Sequence, residues 1–247
     1  MYQTFAYYYD LLMDKSLYNA WANFVGRHFG DLSNQRVLDL ACGTGDLAVR
    51  FAQAGSQTFG VDLSEEMLTI AEERRLIANQ KIDLLQGNML NLDELGVTQL
   101  DLVTCFDDSI CYLADEAEVG RCFEQVHQTL KPNGTFLFDV HSLYQMTTVF
   151  PGYMYNEQDQ DWAFMWSSFE GELPASVHHD LTFFVWREDL GAYEALQETH
   201  VERTYAIETY CQLLTGAGFT DIEVYGGFED EQLTTKTPRW FFKAKRR

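Results

Sequence analysis

The run Val37-Leu38-Asp39-Leu40-Ala41-Cys42-Gly43-Thr44-Gly45-Asp46-Leu47-Ala48 sets two glycines and two carboxylates around one turn, and Asp62 ends the next apolar run. Glycine lets the main chain turn sharply and approach a ligand closely. A carboxylate about 20 residues further on can accept both hydroxyls of a ribose. This is chemistry for holding a nucleoside cofactor. Gly43-x-Gly45-x-x-Ala48 satisfies the dinucleotide fingerprint literally, so at this motif NAD and S-adenosylmethionine both stay open.

Three details separate them. Asp39 falls inside the strand, where a dinucleotide loop carries apolar residues; a carboxylate there can organise the loop or face a ligand ammonium group. Asp46 opens the following helix and would meet a pyrophosphate with like charge. Gln86-Gly87-Asn88-Met89 follows the third strand and sets an amide beside a soft apolar side chain, suited to hydrogen bonding and packing against adenine. Alone, that last motif reads as a strand-ending turn. Together the three favour S-adenosylmethionine over NAD.

Methyl transfer from a sulfonium is one in-line displacement by an already activated donor, so the protein has chiefly to align the nucleophile and exclude water. A general base is needed only if the acceptor must lose a proton. Open α/β sheets bind ligands at the carboxyl ends of their strands, which makes Asp107, Asp108 and His141 the candidates. His141 is the best base by position and type, with capping of the strand end as its alternative. Helix capping or a structural role is the alternative for both aspartates, and near a sulfonium they could also attract an amine. The adjacent His178-His179 on a strand point to opposite faces, and no zinc site can be completed around them, so no metal is expected.

These groups need a scaffold. From residue 35 to about 140 short apolar runs alternate with amphipathic stretches: strands at 37–41, 58–62, 82–86, 100–106 and 135–140, and helices opening at Asp46 and after the cap Ser64. That alternation predicts βαβ units and a parallel sheet. Residues 160–170, 177–187 and 194–204 instead read as about three antiparallel strands, before a helix near 206–215 and strands at 219–226 and 238–244. The first 30 residues read as helical and carry Tyr2, Tyr7, Tyr8, Tyr9, Tyr18 and Trp21, which either pack across the sheet edge or line a pocket.

The composition narrows the class. A chain of 247 residues buries one substantial core with a small accessory lobe. Its formal net charge of -21, with the only basic cluster at Lys243 to Arg247, makes nucleic acid a poor partner. Five scattered cysteines, never spaced as C-x-x-C, fit a reducing compartment. The start Met1-Tyr2-Gln3-Thr4-Phe5 shows no secretory pattern and no apolar run is long enough to span a membrane, so a cytoplasmic protein without membrane contact is expected.

Residues 37–48, Gly60-Val61-Asp62-Leu63-Ser64-Glu65-Glu66-Met67-Leu68, Gln86 to Met89 and Leu130-Lys131-Pro132-Asn133-Gly134-Thr135 together resemble the ordered motifs of class I S-adenosylmethionine-dependent methyltransferases. Tyr9-Asp10 through Trp21, Asp108 to Leu113 and the insert resemble a narrower group of bacterial small-molecule enzymes, such as amino-sugar and glycine N-methyltransferase-like proteins. The resemblance implies a Rossmann-like, doubly wound α/β fold whose seven-stranded sheet ends in an antiparallel strand. It also implies S-adenosyl-L-methionine as cofactor. Asp39 and the Gly43/Gly45 turn would hold the methionyl end, Asp62 the ribose, and Leu63, Asn88 and Met89 the adenine, while Phe106 closes the pocket. Tyr18, Trp21 and Ala41 complete the implied cofactor set. Where this chain has Asn88 the family often has Asp, so the adenine hydrogen bond differs here.

The expected organisation is a cofactor domain, 1–142 and 205–247, with an inserted lobe, 143–204, serving as lid, homodimer surface or packing. The expected activity is N- or O-methylation of a small molecule, an amine slightly preferred. An NAD-dependent oxidoreductase and a non-catalytic adenosyl-ligand-binding regulatory module are the alternatives.

Overall fold

Strand β1 (Arg36–Leu40) is buried from Val37 onward and lies near the centre of the main sheet. The computed structural model describes residues 5–247, so Tyr2 lies outside the described residues. Around β1 are β2 (Gln57–Asp62), β3 (Ile82–Gln86), β4 (Leu100–Cys105), β5 (Leu130–His141), β10 (Phe219–Gly226) and β11 (Arg239–Arg246). Their order is β10-β11-β5-β4-β1-β2-β3, and β11 runs antiparallel to both its neighbours. This is the α/β sheet implied by the motifs. Every residue of β4 is buried, as expected for a parallel strand covered on both faces.

The helices α3 (Asp46–Gln53), α4 (Glu65–Ile77), α5 (Glu116–Thr129) and α6 (Ile207–Gly216) form at the amphipathic stretches. Ser64 caps α4 by accepting from the Met67 amide at 3.2 Å, and Glu65 and Glu66 occupy the positive end of that helix. The N-terminal segment makes two helices, α1 (Phe5–Leu12) and α2 (Lys15–His28). On α2, Trp21, Phe24 and Val25 are buried among Phe106, Leu137 and Phe241. The Phe24 and Phe241 rings lie 4.5 Å apart, and burying such a side chain contributes about 1.5–3 kcal/mol.

The insert is a four-stranded antiparallel sheet: β6 (Met154–Gln158), β7 (Trp162–Glu170), β8 (Ser176–Arg187) and β9 (Ala192–Arg203), in that order. The sequence pattern gave about three strands. The additional one, β6, is an edge strand exposed at every residue, so it has no buried face to leave an alternating pattern. Strand β5 also begins earlier than its apolar run, taking in Lys131-Pro132-Asn133-Gly134 as an irregularity in the pairing with β4. Helix α1 packs on the insert through Tyr8, whose ring lies 5.5 Å from that of Phe183. No described helix is long and apolar enough to cross a membrane.

Candidate active site

The loop leaving β1 owes its shape to unusual backbone angles: Ala41, Gly43 and Gly45 have φ of 57°, 52° and 77°. Asp62, ending β2, holds that loop and the next one. Its Oδ2 accepts from the Gly43 amide at 2.7 Å and its Oδ1 from the Ser64 amide at 2.9 Å. Burial raises its carboxyl, against the pull of those two amides. Asp39 enters from β1, where its Oδ1 accepts from the Thr104 hydroxyl at 2.9 Å while its buried Oδ2 has no partner. Burial pushes this carboxyl up to about 7, despite the Thr104 bond.

These groups border a cavity of about 690 Å³ at the carboxyl ends of the strands. Tyr18, Trp21, Asp39, Ala41, Gly43, Asp62, Leu63, Asn88, Met89 and Phe106 all line it. Gly45 does not. It starts α3, and a Cβ there would lie 2.9 Å from the Cβ of Ala71, so its part is close packing of α3 against α4. Asn88 accepts the Leu90 amide on its side-chain carbonyl at 2.9 Å and keeps both NH₂ hydrogens as donors. Trp21 lines the cavity with its ring and donates its Nε1–H to Asp139 Oδ2 at 2.8 Å. Helix α1 is fixed over this region by Asp10, which accepts from Arg74 at 2.8 and 2.7 Å and from the Thr44 hydroxyl at 2.6 Å.

A second chamber of about 350 Å³ adjoins the first and is bounded by α1, the end of the main sheet and the insert. Tyr9, Asp107, Tyr112 and His200 line both. Aromatic rings of Phe150, Tyr153, Phe164 and Trp166 form one wall, and Asp108, His141, His179, Glu202 and Arg239 supply its polar groups. Thus Asp107 stands at the junction, whereas Asp108 and His141 border only the second chamber.

Asp107 and Asp108 have φ of 56° and 49°, a left-handed pair that non-glycine residues adopt at a cost and that is concentrated at functional sites. The Tyr9 hydroxyl donates to Asp107 Oδ2 at 3.3 Å. Burial and the neighbouring Asp108 push the Asp107 carboxyl up to about 7. Burial would raise Asp108 too, but His141 and the Arg239 guanidinium outweigh it and hold that carboxyl well below the usual range.

The sequence reading did not single out Asp139, Arg239 or Glu202. Asp139 is fully buried and accepts from Trp21 Nε1, from Arg239 Nη1 at 2.8 Å and from the Asp108 amide at 3.0 Å. Its signal was a lone acid within the apolar run Phe136 to Val140. His178 and His179 do face opposite ways, half-buried and buried respectively. His179 Nδ1 contacts Ser168 Oγ at 2.7 Å and accepts from Trp166 Nε1 at 3.2 Å. Burial and the nearby His141 bring its imidazole down to about 4.

Residues 37–134 match the family model described as a methyltransferase domain. A protein of Geobacillus sp. (strain WCH70), provisionally named a methyltransferase, is 43% identical over 99% of this chain and 99% of its own. One of Bacillus subtilis (strain 168), also provisionally named a methyltransferase, is 38% identical over 100% and 97%. The crystal structure of an S-adenosylmethionine-dependent methyltransferase from Clostridium acetobutylicum superposes with a TM-score of 0.85 at 28% identity, covering 98% of this chain and 97% of that one.

Proposed function

Because the chain belongs to the class I S-adenosylmethionine-dependent methyltransferases, we propose that the larger chamber takes the cofactor and the smaller one a small-molecule acceptor, methylated on nitrogen or oxygen. The observation that carries this reading is that the two chambers meet at Tyr9, Asp107, Tyr112 and His200.

The larger chamber fits the donor. The unpartnered Asp39 Oδ2 is a buried acceptor in want of a cationic donor, which the methionyl ammonium supplies. Asp62 keeps lone pairs for the ribose hydroxyls after accepting its two amides. Leu63 and Met89 would pack against the adenine, and the Asn88 NH₂ would be placed to donate to it. Tyr18, Trp21, Ala41 and Phe106 enclose the rest, and Gly45 supports the turn from behind.

S-Adenosylmethionine supplies the activated methyl group. The residues have to align the acceptor, exclude water and receive a proton. Asp107 is the proposed base, since it borders both chambers; Asp108 and His141 act from the acceptor side. With the donor bound, Asp107 would take the proton that the acceptor's nucleophilic atom loses as it is methylated, and the chambers' walls would hold the two partners in line. Residues 143–204 serve as a lid over this chamber, and its surplus of carboxylates suits an amine or another proton-bearing nucleophile.

The test is calorimetric titration with S-adenosylhomocysteine, and separately with NAD and NADH. Saturable binding of the first alone, lost in Asp62→Ala, is expected. Binding of the dinucleotides alone overturns the assignment.

A further inference from the structure

We propose that Asp108, His141 and Glu202 form a binding site for a divalent metal ion in the wall of the acceptor chamber. The ligand set comes from three places far apart in sequence: the loop after β4, the end of β5 and strand β9. Its role toward the acceptor rests on the methyl-transfer reading, whereas the site itself rests on geometry alone.

Asp108 Oδ2 lies 3.2 Å from His141 Nε2, and His141 Nε2 lies 3.8 Å from Glu202 Oε2. One ligand atom from each residue falls within 4.8 Å of the other two. An ion bound at about 2.0–2.2 Å in a tetrahedron separates its ligands by roughly 3.3–3.6 Å. The side chains therefore stand close to ligating distance already.

An independent observation points into the same space. Glu202 is 4% exposed, and its Oε2 is buried with no hydrogen-bond partner, a costly state for a carboxylate oxygen. Its other oxygen, Oε1, faces His179 Nε2 at 3.6 Å. The Trp166 Nε1–H is donated to His179 Nδ1, so neutral His179 carries its proton on Nε2. At 3.6 Å that Nε2–H is beyond hydrogen-bond reach and is itself buried without a partner, so Oε2 is free to ligate and a small turn of the Glu202 carboxylate on an ion would bring Oε1 to His179. Arg239 already holds Asp108 in this way, taking Oδ1 and leaving Oδ2 toward His141.

Charge agrees. Arg239 pairs with Asp108 and Asp139, and Asp107 and Glu202 line the same chamber. A divalent ion offsets the surplus that one guanidinium leaves. One imidazole with two carboxylates suits Mn²⁺, Fe²⁺ or Zn²⁺ better than Ca²⁺. Three protein ligands leave a position open, and here it faces the acceptor chamber. The acceptor class that fits is a small molecule with a hydroxyl or enol oxygen, whose proton such an ion makes easier to remove.

The test titrates the metal-stripped full chain with Co²⁺, followed by its visible absorption and by calorimetry. One saturable site per chain is expected. Glu202→Gln and Asp108→Asn, both close in shape to the native residues, should each weaken it by roughly 10–100-fold or more. His178→Gln, on the opposite face of β8, should bind as the unaltered chain does. No saturable binding by the unaltered chain overturns the proposal; protons or a cationic acceptor then balance the carboxylates. Binding that survives both substitutions in chains with native circular dichroism overturns it equally. S-Adenosylhomocysteine titration of the same samples separates the two readings: cofactor binding without Co²⁺ binding removes only the metal site, and Co²⁺ binding without cofactor binding removes the cofactor placement.

Discussion

The hydroxyl of Tyr9 on α1 meets Asp107 after β4 at 3.3 Å, and both residues line the two adjoining chambers. A helix and a loop from the middle of the sheet thus meet at the junction proposed as the reaction point.

If Asp107 receives the acceptor proton, Asp107→Asn should lower kcat by roughly 10²–10⁴-fold while leaving the affinity for S-adenosylhomocysteine within about threefold. Tyr9→Phe removes only the bond to Asp107 and should cost about 0.5–1.5 kcal/mol in kcat/KM. Steady-state kinetics paired with calorimetry reads both. An Asp107→Asn enzyme with native kcat would overturn the base assignment.

The cofactor chamber should respond to pH through Asp39. Its carboxyl rises on folding from 3.8 to about 7, chiefly through burial. A carboxyl raised in this way favours the folded, unliganded chain at low pH, and that contribution is lost as pH climbs from about 4 through about 7. Ligand binding runs in the opposite direction, because an ammonium needs the carboxylate. Affinity for S-adenosylhomocysteine should therefore climb by up to about tenfold per pH unit below 7 and level off above it. In Asp39→Asn the dependence should flatten and affinity should stay low throughout. Calorimetry on both proteins across that range decides it, and parallel slopes would assign the titration to another group.

Most of the lining of the larger chamber was legible in the sequence because it is local. Asp39, Gly43 and Asp62 sit on consecutive βα units, so the order of motifs already brings them to one end of the sheet. Gly45, expected to hold the methionyl end as part of the Gly43/Gly45 turn, packs against Ala71 behind that turn, and a packing glycine and a lining glycine look alike in a loop. The acceptor side was much less legible. Glu202 and His179 come from strands of the insert, and their meeting with His141 depends on how that sheet docks on the main one. No spacing within the chain encodes that contact. Arg239 lies 100 residues from its partner Asp139, across the antiparallel pairing of β11 with β5.

Arg74 on α4 grips Asp10 on α1 with two hydrogen bonds, and Thr44 of the glycine loop adds a third. This cluster ties α1 to the glycine loop that borders the larger chamber. Arg74→Ala should weaken S-adenosylhomocysteine binding by roughly tenfold, the loss of about 1–2 kcal/mol from charge-assisted bonds. It should also speed proteolysis within residues 5–14 in the unliganded protein. Titration and timed digestion test the two effects separately, and a native digestion rate would show that α1 is held mainly by Tyr8 against the insert.

The largest single cost to stability should come from Asp139. It is fully buried and accepts from Trp21, Arg239 and the Asp108 amide. Asp139→Ala takes one carboxylate from Arg239 and leaves three donors to find other partners in a closed space. Removing one partner of a buried ion pair costs about 3–5 kcal/mol. In a chain of this size each kcal/mol moves Tm by about 2–4 °C, so calorimetry should record a fall of roughly 10 °C. Asp139→Asn should fall less, since an amide oxygen in the place of Oδ2 can still accept from Trp21 and Arg239, while its NH₂ then faces the Asp108 amide. Asp108 keeps its own bond to Arg239 in both variants, so the guanidinium remains partly compensated and the fold should survive. A Tm within about 2 °C of the unaltered chain in Asp139→Ala would mean that water replaces the carboxylate, placing the pair in contact with solvent from the acceptor chamber.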